Sequence, residues 1–174
     1  MSIIVKMASL DRFGDIPVPC RHCLYWQTKG ENATVRDKNE DERRKRQWFE
    51  KVGNEFGNPV KVAYLDGVPA GFLQFAPARF FPRIAEYTTA APSEQAIFIS
   101  CLYVVSEKAR GKGVGTAMLN DLVRELPELR CGVIESFARR GSANNPSGPV
   151  EFYLKYGFKS VGGGEEFPLV RLEL

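Results

Sequence analysis

Between Ala109 and Leu119 the chain reads ARGKGVGTAML, with glycine at 111, 113 and 115, arginine at 110 and lysine at 112, directly ahead of a helix-like run. A backbone this bare, leading from a strand into a helix, leaves the first amides of the helix pointing outward without partners. The helix dipole favours negative charge at that end. Glycine permits the turn and lets a ligand approach the main chain closely. Arg110 and Lys112 add positive charge, and a guanidinium can bond a phosphate through two parallel donors. The chemistry is anion binding, and pyrophosphate is the natural anion. Two nucleotide patterns fail on spacing. Nothing fits G-x-x-x-x-G-K-S/T, and in G-x-G-x-x-G the last glycine falls on Thr116.

The flanking elements position this turn. AIFISCLYVV, Ala96 to Val105, is a continuous apolar run with β-branched residues, which predicts a central strand buried on both faces. After the glycines, Val114, Met118, Leu122 and Leu126 recur four apart and Pro127 follows, which predicts a helix. CGVIESFA reads as another strand, RRGSANNPSGP as a loop, and PVEFYLKYGF as a short helix stopped by Gly157. FKSVGG and PLVRLEL read as a closing pair of strands. Upstream, VKVAYLDGVPAGFLQF reads as two strands around a turn at Asp66-Gly67. The segment from Ala76 to Pro92 is punctuated by prolines and reads as a long loop or an interrupted element. Residues Asp37 to Gly57 carry Trp48, Phe49, Val52 and Phe56 at helical spacing, and the mixed-sign run Glu40 to Arg46 reads as a solvated helix face. The chain before that helix shows no clean period. The order is helix, three strands, helix, strand, helix, two strands, which is an α/β or α+β layered domain with a mixed sheet and helices on its faces.

At 174 residues, 44% hydrophobic and 26% charged, the chain suits one domain spanning residues 1–174. A formal charge of +3 is too small to argue for nucleic acid. No run of about 18 apolar residues predicts a membrane span, and the start makes a poor signal peptide. Four cysteines do not suggest a disulfide scaffold, so a cytoplasmic protein is expected. Cys20, His22 and Cys23 form CRHC, for which packing on the acceptor side, metal binding and redox sensing stay open. Zinc normally needs four ligands. Cys101 and Cys131 lie in predicted strands away from the pair, so no metal is expected.

The motifs resemble those of the GNAT superfamily of N-acetyltransferases. Arg110-Gly111-Lys112-Gly113-Val114-Gly115 matches the family's coenzyme pattern, Arg/Gln-x-x-Gly-x-Gly/Ala. EFYLKYGF, Glu151 to Phe158, is similar to its late motif, an aromatic-Tyr pair followed by Gly-Phe. The resemblance covers roughly Ile97 to Phe158, a little over a third of the chain. It implies a mixed, mostly antiparallel sheet whose fourth and fifth strands splay apart, and acetyl-CoA or another acyl-CoA as donor. An amine, on a small molecule or a protein, would be the acceptor, and neither nucleic acid nor a membrane is a partner; a homodimer is allowed. Pyrophosphate would lie on the amides from Gly111 to Gly115, beside Thr116. Pantetheine would bond backbone at Leu102, Tyr103, Val104 and Val105, where an amide could stabilise the thioester oxygen. Tyr153 matches the tyrosine that protonates the departing thiolate. The family spacing from strand to arginine is one residue shorter than Val104 to Arg110, so either Val105 takes the place of Val104 or the strand bulges there. The asparagine expected at Pro146 is shifted to Asn145, and Glu135 is a candidate base, with a water relay equally open. Residues 96–158 would form the acyl-CoA-binding core and residues 1–57 the acceptor side. Tyr25, Trp26, Phe80 and Phe81 are aromatics for an acceptor site or for the core. The alternative is a non-catalytic CoA-binding or regulatory module on the same fold.

Overall fold

The computed structural model describes residues 1–30 and 37–174; residues 31–36, within the expected N-terminal portion, lie outside the described residues. The hairpin around Asp66-Gly67 forms as β2 (Val60–Leu65) and β3 (Val68–Pro77), paired antiparallel. Asp66 at φ 50° and Gly67 at φ 82° both take left-handed backbone, which two-residue hairpin turns require. β4 (Ile97–Val104) pairs antiparallel with β3, and β5 (Val133–Phe137), β6 (Lys159–Gly163) and β7 (Pro168–Glu173) complete the far side. One strand escaped the sequence reading. β1 (Ile3–Met7) adds to the edge of β2, from Ile3 opposite Leu65 to Met7 opposite Lys61. Its five residues alternate half-buried and exposed, too short a pattern to stand out until a partner strand supplies its hydrogen bonds. The sheet runs β1-β2-β3-β4-β5-β7-β6, antiparallel throughout except between β4 and β5. The expected mixed, mostly antiparallel sheet is therefore present.

Among the described residues, three α-helices cover the two faces. α1 (Lys38–Glu55) starts at Asp37, whose carboxylate accepts the amides of Asn39 and Glu40 at 2.8 and 3.2 Å. α2 (Val114–Glu125) buries Val114, Met118, Leu119 and Leu122, close to the predicted stripe. α3 (Val150–Tyr156) ends where Gly157 turns left-handed at φ 105°. Strand alternation divides the core. Leu73, Ile99 and Leu102 point to α2 and α3, while Phe72, Phe98 and Cys101 point to α1 and the N-terminal segment. α1 corrects one expectation. Its buried face is Asp41, Lys45, Phe49 and Val52, so two members of the supposedly solvated charge run face inward. The segment after β3 holds two short 3-10 turns, Ala78–Phe80 and Pro82–Glu86, an interrupted element as expected.

Gly71 in β3 lets α2 lie close to the sheet. A Cβ there would stand 2.8 Å from both Met118 Cε and Val114 Cγ1. Gly71→Ala is expected to destabilise by about 1–3 kcal/mol through overpacking. A lower denaturation midpoint at unchanged slope would be the sign of it, and an unchanged midpoint would show that α2 can shift freely.

Candidate active site

The site begins where β4 and β5 part. They pair only at Ile97 with Ile134 and Phe98 with Glu135. Beyond that, Ser136 Oγ donates to the Ile99 carbonyl at 2.9 Å, so a side chain replaces the missing strand partner. The bulge lies here too, on β4 at Ser100, because Gln74 faces Cys101 while Phe75 faces Ile99. That places it before Val104, earlier in β4 than the sequence spacing suggested. Past the bulge the Val105 amide donates to Ala70 in β3, whereas the Leu102 amide turns the other way and donates to the Pro146 carbonyl at 2.8 Å. Leu102 and Val104 thus face the gap, and Val105 does not.

The gap continues into the glycine turn. After a 3-10 turn at Glu107–Ala109, Gly111 and Gly113 take φ of 71° and 85°, and α2 starts with no side chain capping it. Its first amides are therefore free to meet an anion. A cavity of about 370 Å³ occupies the opening. Leu102, Tyr103 and Val104 form one wall, and Gly111, Gly113, Val114, Gly115 and Thr116 the next. Arg110 and Asn145 line it as well, and Phe152 closes it from α3. Gly115 sits in helical backbone, where a Cβ would reach 3.4 Å from Leu102 Cδ2 and narrow the gap. Lys112 is exposed beside the turn and outside the lining. Arg110 acts first as a brace. Its Nε donates to the Val104 carbonyl at 3.2 Å, and its second terminal nitrogen donates to Asn144 Oδ1 at 2.6 Å and to the Tyr103 hydroxyl at 3.4 Å. Asn144 carried no motif signal; only the loop's path brings it under the guanidinium.

Tyr153, on α3, is fully buried and is not among the residues that line the cavity. Its hydroxyl donates to the Ser147 carbonyl at 2.9 Å, and burial pushes its pKa up, so the phenol stays protonated. Asn145 Oδ1 accepts the Ser147 amide at 2.9 Å and helps shape the same loop. Glu135 is placed elsewhere. It is fully buried, accepts the Ser93 amide at 2.6 Å, and pairs with Arg171 through Nε at 2.8 Å and a terminal nitrogen at 2.6 Å. It lines neither cavity of the splay.

A second cavity of about 350 Å³ lies across β4 from the first, and Asn145 lines both. Its walls are Tyr25, Trp26, Tyr87 and Phe167, with Cys23, Cys101 and the Pro146-Ser147 segment. Trp26 stacks on Tyr87 at 5.3 Å, and Tyr87 stacks on Phe137 at 4.4 Å. Two of the four aromatics singled out in the sequence, Tyr25 and Trp26, therefore line a cavity, while Phe80 and Phe81 are core. Tyr87 and Phe167 come from segments whose approach to β4 is not written in local sequence. Cys20 and Cys23 also meet Cys101, contrary to their apparent separation, around a small void shared with Lys45. His22 pairs with Glu42 at 3.2 Å. Among the described residues no group of three or more His, Cys, Asp or Glu is placed to hold a metal ion. Nor is any described helix long and apolar enough to cross a membrane.

Uncapped helix amides, a splayed pair of strands and a cavity running between them suit a long anionic ligand threaded through the sheet. Known proteins bear on which. The family model described as Acetyltransferase (GNAT) family matches residues 22–158. None of the curated proteins matches the sequence. Among solved structures, PaiA N-acetyltransferase from Thermoplasma acidophilum, in complex with coenzyme A, aligns over 100% of both chains at 15% identity and a TM-score of 0.64. YncA from Salmonella typhimurium, a putative acetyltransferase with its cofactor acetyl-CoA, aligns over 99% of this chain and 94% of its own at 19% identity, with a TM-score of 0.64. Ribosomal-protein-alanine N-acetyltransferase from Brucella melitensis aligns over 98% and 99% at 22% identity, again at 0.64. At these identities the structural likeness speaks for the fold, while the family match takes in both the glycine turn and the late Tyr-x-x-x-Gly-Phe segment. By that match and by the fold that carries it, the chain belongs to the acetyltransferase (GNAT) family.

Proposed function

We propose that the first cavity holds acetyl-CoA and the second holds the amine that receives the acetyl group. The observation that carries this reading is that Asn145 lines both cavities, one on each side of β4. Membership of the family makes the protein an acetyl-CoA-dependent N-acetyltransferase; the placement below is our reading of where the reaction runs. Pyrophosphate lies on the amides of the turn from Gly111 to Gly115, with Lys112 adding charge from the rim. Pantetheine runs along β4, where Val104 presents its backbone to the gap. The Leu102 amide is the next of the same parity, and it reaches a thioester oxygen only by exchanging its bond to Pro146. Tyr153 is the acid that protonates the sulfur as the C–S bond breaks, because a neutral phenol is the form burial favours. Residues 96–158 then serve the donor. Within residues 1–57, Cys23, Tyr25 and Trp26 serve the acceptor.

The acceptor cavity has aromatic, thiol and amide walls and no charged side chain among its lining residues. It suits a primary amine attached to an apolar or aromatic body, and suits polycations poorly because nothing there offsets extra positive charge. All four cysteines are unpaired, which supports a cytoplasmic location.

Calorimetric titration with acetyl-CoA tests the donor half. Arg110→Ala is expected to weaken binding roughly tenfold or more, since it removes charge-assisted bonds that hold β4 to the Asn144 loop. Gly115→Val is expected to do the same by filling the gap, without backbone strain. Wild-type affinity in both variants would move the donor site away from the glycine turn. Free-thiol release in the presence of arylalkylamines, set against polyamines, tests the acceptor half.

A further inference from the structure

Lys45 is a buried cation that the reaction above leaves unused. It lies on the inward face of α1, 2% exposed, and its Nζ donates to the Cys23 carbonyl at 2.8 Å. The titratable groups acting on it are the thiols of Cys20, Cys23 and Cys101. Asp41 lies one turn earlier on the same buried face, and none of the described carboxylates forms an ion pair with Nζ. Its Nζ also lies 5.6 Å from the Trp48 ring and 5.7 Å from the Phe72 ring, and an ammonium this desolvated is costly, with loss of its proton the usual relief. Burial pushes the Lys45 pKa down, against a smaller upward pull from the thiols.

Beside Lys45 is a void of about 50 Å³, walled also by Gln27 and sharing Cys23, Trp26, Cys101 and Pro146 with the acceptor cavity. Gln27 Oε1 is buried and has no hydrogen-bond partner among the described residues. Its amide cannot simply turn over, because Gln27 Nε2 donates to Gln74 Oε1 at 3.2 Å and Gln74 Nε2 donates to Ser100 Oγ at 2.7 Å. With Nζ neutral, the void presents two acceptors, the Gln27 oxygen and the nitrogen lone pair. A single water fits the space and the chemistry, since it brings two hydrogens and keeps its own oxygen free. A carboxylate does not fit, because it would face Gln27 Oε1 oxygen to oxygen.

We propose that Lys45, through one ordered water in this void, takes the proton that the acceptor must lose before it attacks the thioester. The inference rests on the acceptor placement given above. The protonated amine gives a proton to the water, the water gives one to Nζ, and the products are a free amine and the Lys45 ammonium. The amine nitrogen bonds the thioester carbon, the C–S bond breaks, and the sulfur receives its proton from Tyr153. Tyr153 in turn recovers the second proton that leaves the nitrogen. The Lys45 proton returns to solvent through the acceptor cavity between turnovers, so the cycle releases one proton for each acetyl group moved.

The test uses the full chain, acetyl-CoA and 2-phenylethylamine as the probe amine, with free thiol as the readout across pH. Lys45→Met is expected to lower kcat/KM roughly 10²-fold near neutral pH and to regain rate as pH rises and the amine loses its proton unaided. Lys45→Arg keeps a donor for the Cys23 carbonyl but cannot accept a proton, and is expected to behave like Lys45→Met. Acetyl-CoA affinity stays at the wild-type value in both. Wild-type rates and pH profile in the two variants would overturn the proposal. If the wild-type enzyme does not turn over the probe, the acceptor placement has failed and the relay falls with it; where it does turn over, nitrogen NMR of Nζ gives a second readout, in which a neutral amine near pH 7 supports the relay and a protonated one sinks it. Thermal melts give a further check. A depressed lysine costs the fold stability as pH falls below the ordinary value of 10.5, so the advantage of Lys45→Met over wild type should widen in that direction. No widening would mean that Lys45 is charged in the fold and would also overturn the proposal.

Discussion

Tyr153→Phe is expected to lower kcat by roughly 10²-fold or more while leaving acetyl-CoA affinity unchanged. The two effects separate because the ring packs in the core and the hydroxyl is the only group removed. The ring touches the loop backbone so closely that a Cβ on Gly148 would stand 3.0 Å from its Cε2 and 3.3 Å from its hydroxyl. Phe keeps that packing. What it loses is the donor now held by the Ser147 carbonyl at 2.9 Å, the proton we assign to the departing thiolate. The orphaned carbonyl should cost about 1–3 kcal/mol of stability, read as a lower melting temperature. Because burial raises the pKa of the phenol, the wild-type rate should show no fall as pH passes the ordinary tyrosine value of 10.0. A lower melting temperature with kcat unchanged would make Tyr153 a packing residue that merely holds the loop.

Arg171→Met should have the largest effect on stability. Arg171 gives Glu135 two donors, at 2.8 and 2.6 Å, and Glu135 has no solvent exposure of its own. Removing the cation leaves a buried carboxylate bonded to the Ser93 amide at 2.6 Å. Breaking such a pair costs about 3–5 kcal/mol, and the lower end is expected because Arg171 is 31% exposed and water can follow it in. Chemical denaturation measures this directly. Glu135→Gln separates structure from chemistry. It keeps the shape and an acceptor for Ser93, so it should weaken the fold yet leave kcat/KM near wild type when assayed well below its melting temperature. A collapse of kcat/KM in a folded Glu135→Gln protein would restore Glu135 as the base and displace Lys45.

The chain's local sequence determined the parts that depend on local physics. Asp66-Gly67 fixes a hairpin because its two residues accept left-handed backbone. The four-residue spacing from Val114 fixes α2, Gly157 ends α3, and the glycines at 111 and 113 turn the backbone so that the helix amides stay uncapped. Those features sufficed for the layered fold, the uncapped glycine turn and the family. Tertiary structure decided what depends on approach from afar. β1 exists because β2 offers it an edge, and Val105 is excluded from the gap because the bulge at Ser100 sets which backbone groups face β3. Tyr87 and Phe167 reach the second cavity from distant segments, and Cys101 meets Cys20, Cys23 and Lys45 around the small void. Lys45 shows the difference most plainly. In sequence it is one charge in a run of seven residues from Glu40 to Arg46, indistinguishable from its exposed neighbours. The direction in which α1 presents it to the sheet makes it a buried amine beside a void, because burial is set by the surface a helix packs against and not by the residues next along the chain.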